Sequence, residues 1–469
     1  MKTTMTKLYK TFIFAALLIN NSSSFSQSWQ PVSTGVSSSI NNTTSLVRSM
    51  IVFNNKLIVG GSFDNAGGNP VNNIASWDGT NWESLDNGIS SGNSGFSLIE
   101  CNLETRVSGL VKAMAIFNNE LYVGGVFNTA SGVSANYIAK WNGSNWSSVG
   151  RGVRQSYYYS QINSMAVYNN ELYVTGDFDS AGTVAAKNIA KWNGTSWSAV
   201  DRGIKGSSGH SLLVFNNKLY VGGSFDSAGV VAAKNVAVWN GSNWEAMGYG
   251  IPSTVRSLCV YNNKVHAGNS TTGVSFWNGT AWSSVGGGLS GAANALINYG
   301  SSGLVAAGEF TQAGNVPYVF FIALYDGSNW NHLTSPNLGA SIGSGFQNMV
   351  RSICFYNGYL YAGGCFNNEI GYPSSNPLKK IARLSTSAGI ADAASLNTFQ
   401  LFPNPAEREV VFGEEFEKSE VTFTDVNGKK VLKTFINQTH LDISHLDAGI
   451  YTVTLFKNGK TYRSKMVKL

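Results

Sequence analysis

The residues of this 469-residue chain that could do chemistry are a set of carboxylates in a repeated setting. Asp64, Asp179 and Asp226 each follow a phenylalanine in the segments FDNAG and FDSAG. Asn128, Thr311 and Asn367 stand at the matching places elsewhere. Such a ring of short oxygen-bearing side chains could hold calcium. Asp and Asn also bond to nearby backbone and shape turns. The spacing favours the turn, because each copy supplies one carboxylate and none has the clustered acids of a calcium loop. Asp177 and Asp179 form the densest pair. A second candidate is the run Tyr157, Tyr158 and Tyr159, whose rings suit contact with a carbohydrate or a protein surface. A loop that simply accepts insertion would read the same way.

Other chemistry finds little support. His210, His266 and His332 fall in three different copies of the repeat, so none forms a local ligand set. There is no GxSxG, HExxH or Walker sequence. Tryptophan pairs spaced as WxGxxW tempt a sugar-stacking reading, but a ring repeated in every copy belongs in the core between copies.

Composition narrows the classes further. Charged residues make up 12% of the chain, against about 25% in an ordinary soluble protein. The formal net charge of +6 includes Lys2, Lys7 and Lys10. Between residues 27 and 396 there are 19 basic and 17 acidic side chains, which argues for no basic patch and against a nucleic-acid partner. Disorder is excluded by the 12% aromatic content. The four cysteines, Cys101, Cys259, Cys354 and Cys365, allow three pairings that sequence leaves open. Cys259 and Cys354 take places filled in other copies by Ile51, Ala166 and Leu213, so they read as buried apolar residues.

The elements that must position these residues come from a repeat. Residues 49–82 recur in order at 113–146, 164–197 and 211–244. Shortened or diverged copies start at 257, 294 and 352, which makes seven units about 50 residues apart, a propeller-like period. Each unit parses as four short strands. An Asn-Asn or Asn-Gly pair ends the first strand and suits a two-residue hairpin turn. The Gly-Gly pairs in the second strand suit a bulge or close backbone approach. The seventh unit ends at KKIARLSTS without a fourth strand, while SWQPVSTGV near the N-terminus reads like one. Residues 28–36 are therefore expected to complete the last sheet and close the ring, removing its open edges.

Three insertions depart from the repeat, at 90–110, 155–161 and 335–349. Each joins a fourth strand to the next first strand, so each is expected at the same end as the Asp-bearing turns, the predicted binding face.

Met1 to Ser26 reads as a secretory signal peptide: lysines, an eight-residue apolar run from Phe12 to Ile19, and small residues around Phe25. Eight apolar residues are too few to span a bilayer, and no transmembrane segment is expected in the mature chain. Residues 386–396 have a linker composition. Residues 397–469 alternate as strands of a small antiparallel sandwich.

This last segment resembles the type A C-terminal sorting domain of the type IX secretion system of Bacteroidota. The likeness rests on Pro403, Asn404 and Pro405 after Phe402, on Gly449 and Tyr451 after Leu446, and on Lys465 and Lys468 around Met466-Val467. It implies passage through the inner membrane by the signal peptide and crossing of the outer membrane by the type IX machinery, followed by release or surface attachment. More loosely, the repeat resembles kelch and galactose-oxidase-like propellers in its Gly-Gly and Trp spacing, without their copper ligands.

The expectation is thus an all-β chain: signal peptide 1–26, seven-bladed β-propeller 27–385 closed by its N-terminal strand, linker 386–396, and C-terminal β-sandwich 397–469. Its expected role is a secreted or outer-membrane surface-attached binding or adhesion protein for a polysaccharide or surface protein, with no cofactor unless calcium binds. The alternatives are an extracellular carbohydrate-active enzyme with a site in the propeller mouth, and a structural coat protein.

Overall fold

The computed structural model describes residues 29–39, 45–91, 96–100, 103–107, 109–156, 160–333, 344–346, 348–368, 377–385, 397–398, 406, 408–413, 416–425, 430–436, 439–447, 449–457 and 460–468. The expected signal peptide, the linker, Tyr157 to Tyr159, Pro403 to Pro405 and Cys101 lie outside them. Regular structure in the described residues is strand, apart from one 3-10 turn at Gly300–Ser302.

The first unit shows how the repeat folds. Leu46–Phe53, Lys56–Ser62, Ile74–Trp77 and Trp82–Ser84 form an antiparallel sheet in sequence order. Asn54 and Asn55 both have positive φ, 48° and 56°, as the expected hairpin turn requires. The same conformation recurs at Asn118-Asn119, Asn169-Asn170, Asn216-Asn217, Asn262-Asn263 and Asn357-Gly358. Six such sheets have four strands, and a seventh adds the short strand Val231–Ala232 to the same four. In the last unit the order is Val350–Tyr356, Tyr359–Gly364, Ile381–Ser385 and then Gln30–Pro31, with Gln30 opposite Arg383 and Pro31 opposite Ala382.

Apolar side chains on both faces let neighbouring sheets stack on one another. Val111, Leu121 and Trp146 of the second unit share a core with Phe53, Ile58 and Leu85 of the first. Val47, Leu57 and Trp77 of the first unit share one with Tyr356, Tyr361 and Ile381 of the last. The tryptophan pairs lie within these cores, with Trp77 and Trp82 rings 5.3 Å apart. Their repeated spacing therefore reflects packing between units.

Opposite the glycine pair, the first strand of each unit carries one residue too many. In the first unit the register passes from Val47 to Ser49 and skips Arg48. A β-carbon on Gly61 would lie 2.0 Å from the Leu46 carbonyl oxygen, and one on Gly60 would lie 2.4 Å from Val111. The glycines thus serve both close approach and the bulge.

The links between units run along one end. Val36–Ser37 pairs with Asn65–Ala66, Ile89–Ser90 with Thr129–Ala130, and Val153–Arg154 with Ser180–Ala181. Each link reaches the hairpin between the second and third strands of the following unit, the hairpin that bears the Asp or Asn.

In the C-terminal segment the sheet order is Asn397–Thr398, Lys460–Lys468, Gly449–Lys457, Glu420–Asp425 and Lys430–Phe435. A two-stranded sheet pairs Glu409–Val411 with His440–Asp442. Both surround a core that includes Phe412, Phe423, Ile443, Val453 and Met466. The expected purely antiparallel arrangement needs correction, because Asn397–Thr398 runs parallel to Lys460–Lys468. That first strand is not joined to its partner by a hairpin, so no turn imposes the antiparallel direction.

Candidate functional site

The skipped residue is a position that every unit shares. Register shifts occur at the same point in all seven first strands, leaving out Arg48, Lys112, Asn163, His210, Arg256, Asn294 and Arg351. A bulge re-aims its extra residue away from the ladder. Here all seven converge, together with Gln161, Thr254 and Ser270, on one cavity of about 210 Å³. One side chain from each unit thus meets the others in a single space.

The residues of the cavity and their partners divide in two. On one side Glu309 accepts hydrogen bonds from Arg256 at 2.7 Å, Arg351 at 3.1 Å and the Asn294 amide at 3.3 Å. Burial pushes the Glu309 carboxyl up, but Arg351 and Arg256 outweigh it and leave it below the usual glutamate range. On the other side Lys112 donates to the Gln161 side-chain oxygen at 2.8 Å, and the Asn163 amide donates to the Gly209 carbonyl at 3.0 Å. Arg48 Nε is buried with no hydrogen-bond partner. His210 is pulled down to about 4 by burial, then by Lys112, Arg48 and Arg256, so it is neutral at physiological pH. Asp177, at the end of the neighbouring second strand, is raised by burial against the pull of Lys187, Gln155 and Lys112.

The other histidines are elsewhere. His266 is a core residue of the fifth unit, its ring 5.8 Å from that of Phe276 and 5.5 Å from that of Tyr261. His332 is half-buried and lowered by burial.

The predicted aspartates do local work. Asp64 accepts from the Ser39 amide and hydroxyl, the amide at 2.8 Å. Asp179 accepts from the Ser156 amide at 2.9 Å and hydroxyl at 2.7 Å. Each ties an inter-unit link to its hairpin, and Ser156 directly precedes Tyr157. A cation at either site would compete with these donors. Asp226 is exposed. Among the described residues, no group of three or more His, Cys, Asp or Glu is placed to hold a metal ion.

The cysteines separate as well. Cys259 and Cys354 are free, and burial raises their thiols to about 11 and about 12. Cys365 is disulfide-bonded. Near it, Lys380 is buried, lowered to about 8 by burial, and donates to the Cys365 carbonyl at 3.2 Å. In the C-terminal segment, Tyr451 is buried and its hydroxyl donates to the Asp447 carbonyl at 2.7 Å. Lys468 is buried at the end of the strand that pairs it with Gly449.

The ring was missed because its residues differ in type and, in every copy but the sixth, stand one place before the stretch in which the copies read alike. The even balance of 19 bases and 17 acids also hid a local gathering of four cations. The available signal was that one-residue offset, where the repeat changes from copy to copy.

Residues 400–469 match the secretion system C-terminal sorting domain family. The match supports a sorting domain over those residues. That match supports export through the type IX secretion system, to a secreted or cell-surface location. Residues 54–75, from the first hairpin to the third strand of the first unit, match a β-propeller domain of unknown function. With the repeated sheets, this makes the larger region a β-propeller. No curated protein matches the chain in sequence.

Among solved structures, the chain is similar to PorZ, described as an essential bacterial surface component of the type IX secretion system of Porphyromonas gingivalis. The identity is 14% and the TM-score 0.47, over 90% of this chain and 59% of PorZ. It is also similar to the extracellular domain of a putative one component system from B. thetaiotaomicron, at 14% identity and TM-score 0.48, over 94% of this chain and 52% of that one. The WD40 β-propeller domain of Doa1 gives 11% identity and TM-score 0.45, over 77% of this chain and 98% of that one. The chain thus spans under two thirds of the length of the first two.

Proposed function

We propose that this protein is a binding module exported by the type IX route, built on a seven-bladed propeller closed by its own N-terminal strand and followed by a sandwich-like sorting domain. The convergence of one bulge residue from every unit on a single cavity carries the binding reading. Seven positions of different chemistry on one repeated frame make a recognition surface that the frame itself does not need. The inter-unit links lie at one end of the sheets, and the bulges stand near that same end. A polysaccharide or surface protein approaching that end would meet loops first and the cavity second. Tyr157 to Tyr159 follow in sequence the serine that Asp179 anchors, and they are included in the proposed contact.

Affinity electrophoresis of the secreted protein through neutral and acidic polysaccharides, with each polymer sized afterwards, tests this reading. Retardation with polymer of unchanged length is the expected result. Shortened polymer would replace the binding role with the enzymatic one. Failure to be retarded by any polymer, together with failure to bind the surface of the producing cell, would overturn it.

A further inference from the structure

We infer that the seven bulge residues form an oxyanion site, holding one carboxylate, sulfate or phosphate group between Arg48, Lys112 and Arg256 in the cavity. The inference rests on the binding reading above and gives its ligand a charge.

Three observations carry it. The ring is rich in donors: three guanidinium groups, one ammonium and two carboxamides, with a neutral imidazole between them. No acid is among the residues that line the cavity. Glu309 beside it pairs with Arg256 and Arg351, which leaves Arg48 without a carboxylate of that lining. Arg48 Nε is buried and has no acceptor in the protein, an arrangement that costs stability unless something outside the fold supplies one. An oxyanion is that acceptor, since it presents several lone pairs and matches the planar fork of a guanidinium. His210 fits the same picture. It stands among Lys112, Arg48 and Arg256, and remaining neutral it leaves the potential of those cations free to act on a ligand.

Size sets the scale of the ligand. A cavity of about 210 Å³ takes one tetrahedral oxyanion or one acid-bearing sugar ring, given about 30 Å³ for each displaced water. Two sources share this chemistry: a free inorganic oxyanion, and an acidic group carried by a glycan.

Isothermal titration calorimetry of the full secreted chain separates them. The titrants are sulfate, phosphate and glucuronate, with glucose as the neutral control and sodium chloride holding ionic strength constant. Saturable binding of sulfate or phosphate identifies a free-oxyanion site, and binding of glucuronate alone identifies a sugar-acid site. Arg48→Gln is expected to weaken binding about tenfold, the loss of one charge-assisted hydrogen bond. Arg48→Lys is expected to retain most of it, and Lys205→Gln, at an exposed position, all of it. Thermal unfolding of each free variant confirms that it is folded. Equal heats for chloride and every oxyanion, or unchanged affinity in folded Arg48→Gln, would overturn the site. Sulfate binding without polymer retardation keeps the site and overturns the function proposed above. Polymer retardation that survives Arg48→Gln does the reverse.

Discussion

The indole N–H of Trp82 donates to the carbonyl of Val32, 3.3 Å away. Trp146 makes the same bond to Leu85 at 2.9 Å, Trp197 to Val149 at 3.1 Å and Trp330 to Val285 at 3.0 Å. In each of these the acceptor lies just past the fourth strand of the preceding unit. Val32 takes that place for the first unit, so the segment at the start of the chain performs the task of a fourth strand for the last.

Replacing Trp82 tests how much that bond matters. Trp82→Phe keeps most of the buried ring and leaves the Val32 carbonyl without its donor. It is expected to cost about 1 kcal/mol. Trp82→Ala opens a cavity as well and is expected to cost about 3–5 kcal/mol. Denaturant unfolding followed by tryptophan fluorescence measures both, and a Trp82→Phe protein as stable as the parent would show the hydrogen bond to be idle.

The glycine facing the bulge is the second place to look. Gly61 lies 2.0 Å, at its absent β-carbon, from the Leu46 carbonyl oxygen. Gly61→Ala must therefore move backbone, and a loss of about 1–3 kcal/mol is expected from overpacking. Gly68, where the space is open, is the comparison: Gly68→Ala carries only the strain of its positive φ, about 1 kcal/mol.

Acid should weaken the cavity in a defined direction. The Glu309 carboxyl sits below its ordinary range in the folded protein because Arg351 and Arg256 overcome its burial. A depressed folded value means that the carboxylate stabilises the fold above the ordinary glutamate range, and that this stability is lost as pH falls through the folded value. Glu309→Gln should accordingly be less stable than the parent at neutral pH. The gap should narrow as the pH is lowered below about 4. Melting temperatures of both proteins across pH 3 to 7 check the sign.

Thiol labelling reads the interior of the propeller. Burial holds the Cys259 and Cys354 thiols near 11 and 12, where almost no thiolate exists at pH 8. Iodoacetamide should leave both unmodified in the native protein and alkylate both once it is unfolded. Rapid native labelling of either would place it at the surface.

Export should depend on the last strand. Lys460–Lys468 pairs with both Gly449–Lys457 and Asn397–Thr398. Removing residues 460–469 takes away this central partner and should retain the protein inside the outer membrane of a host with type IX machinery. Cell fractionation with immunoblotting measures it, and continued surface appearance would place the signal elsewhere.

Much of the frame was legible because the physics that builds it is local and repeated. Asn54-Asn55 announces a hairpin through a backbone conformation few residues tolerate, and Trp77 and Trp82 announce a strand pair through a fixed spacing. The pairing of Gln30 with Arg383 was legible as well, since an absent fourth strand at one end matched a spare one at the other. The site was not. Arg48, Lys112 and Arg256 stand 64 and 144 residues apart along the chain, share no motif, and meet only because a bulge turns each toward the same space. Asp64 and Asp179 had the opposite fate: they stand out in the repeat, yet their oxygens serve Ser39 and Ser156.

The pairing of Gln30 with Arg383 also sets an order of assembly. The strand synthesised first finds its partner only when almost the whole repeat has been made, so the slowest contact joins the two most distant parts of that region. Until then the earlier sheets present an unfinished stack with a free edge at each end. Completion of that last sheet therefore waits on Ile381–Ser385, however far the earlier sheets have formed.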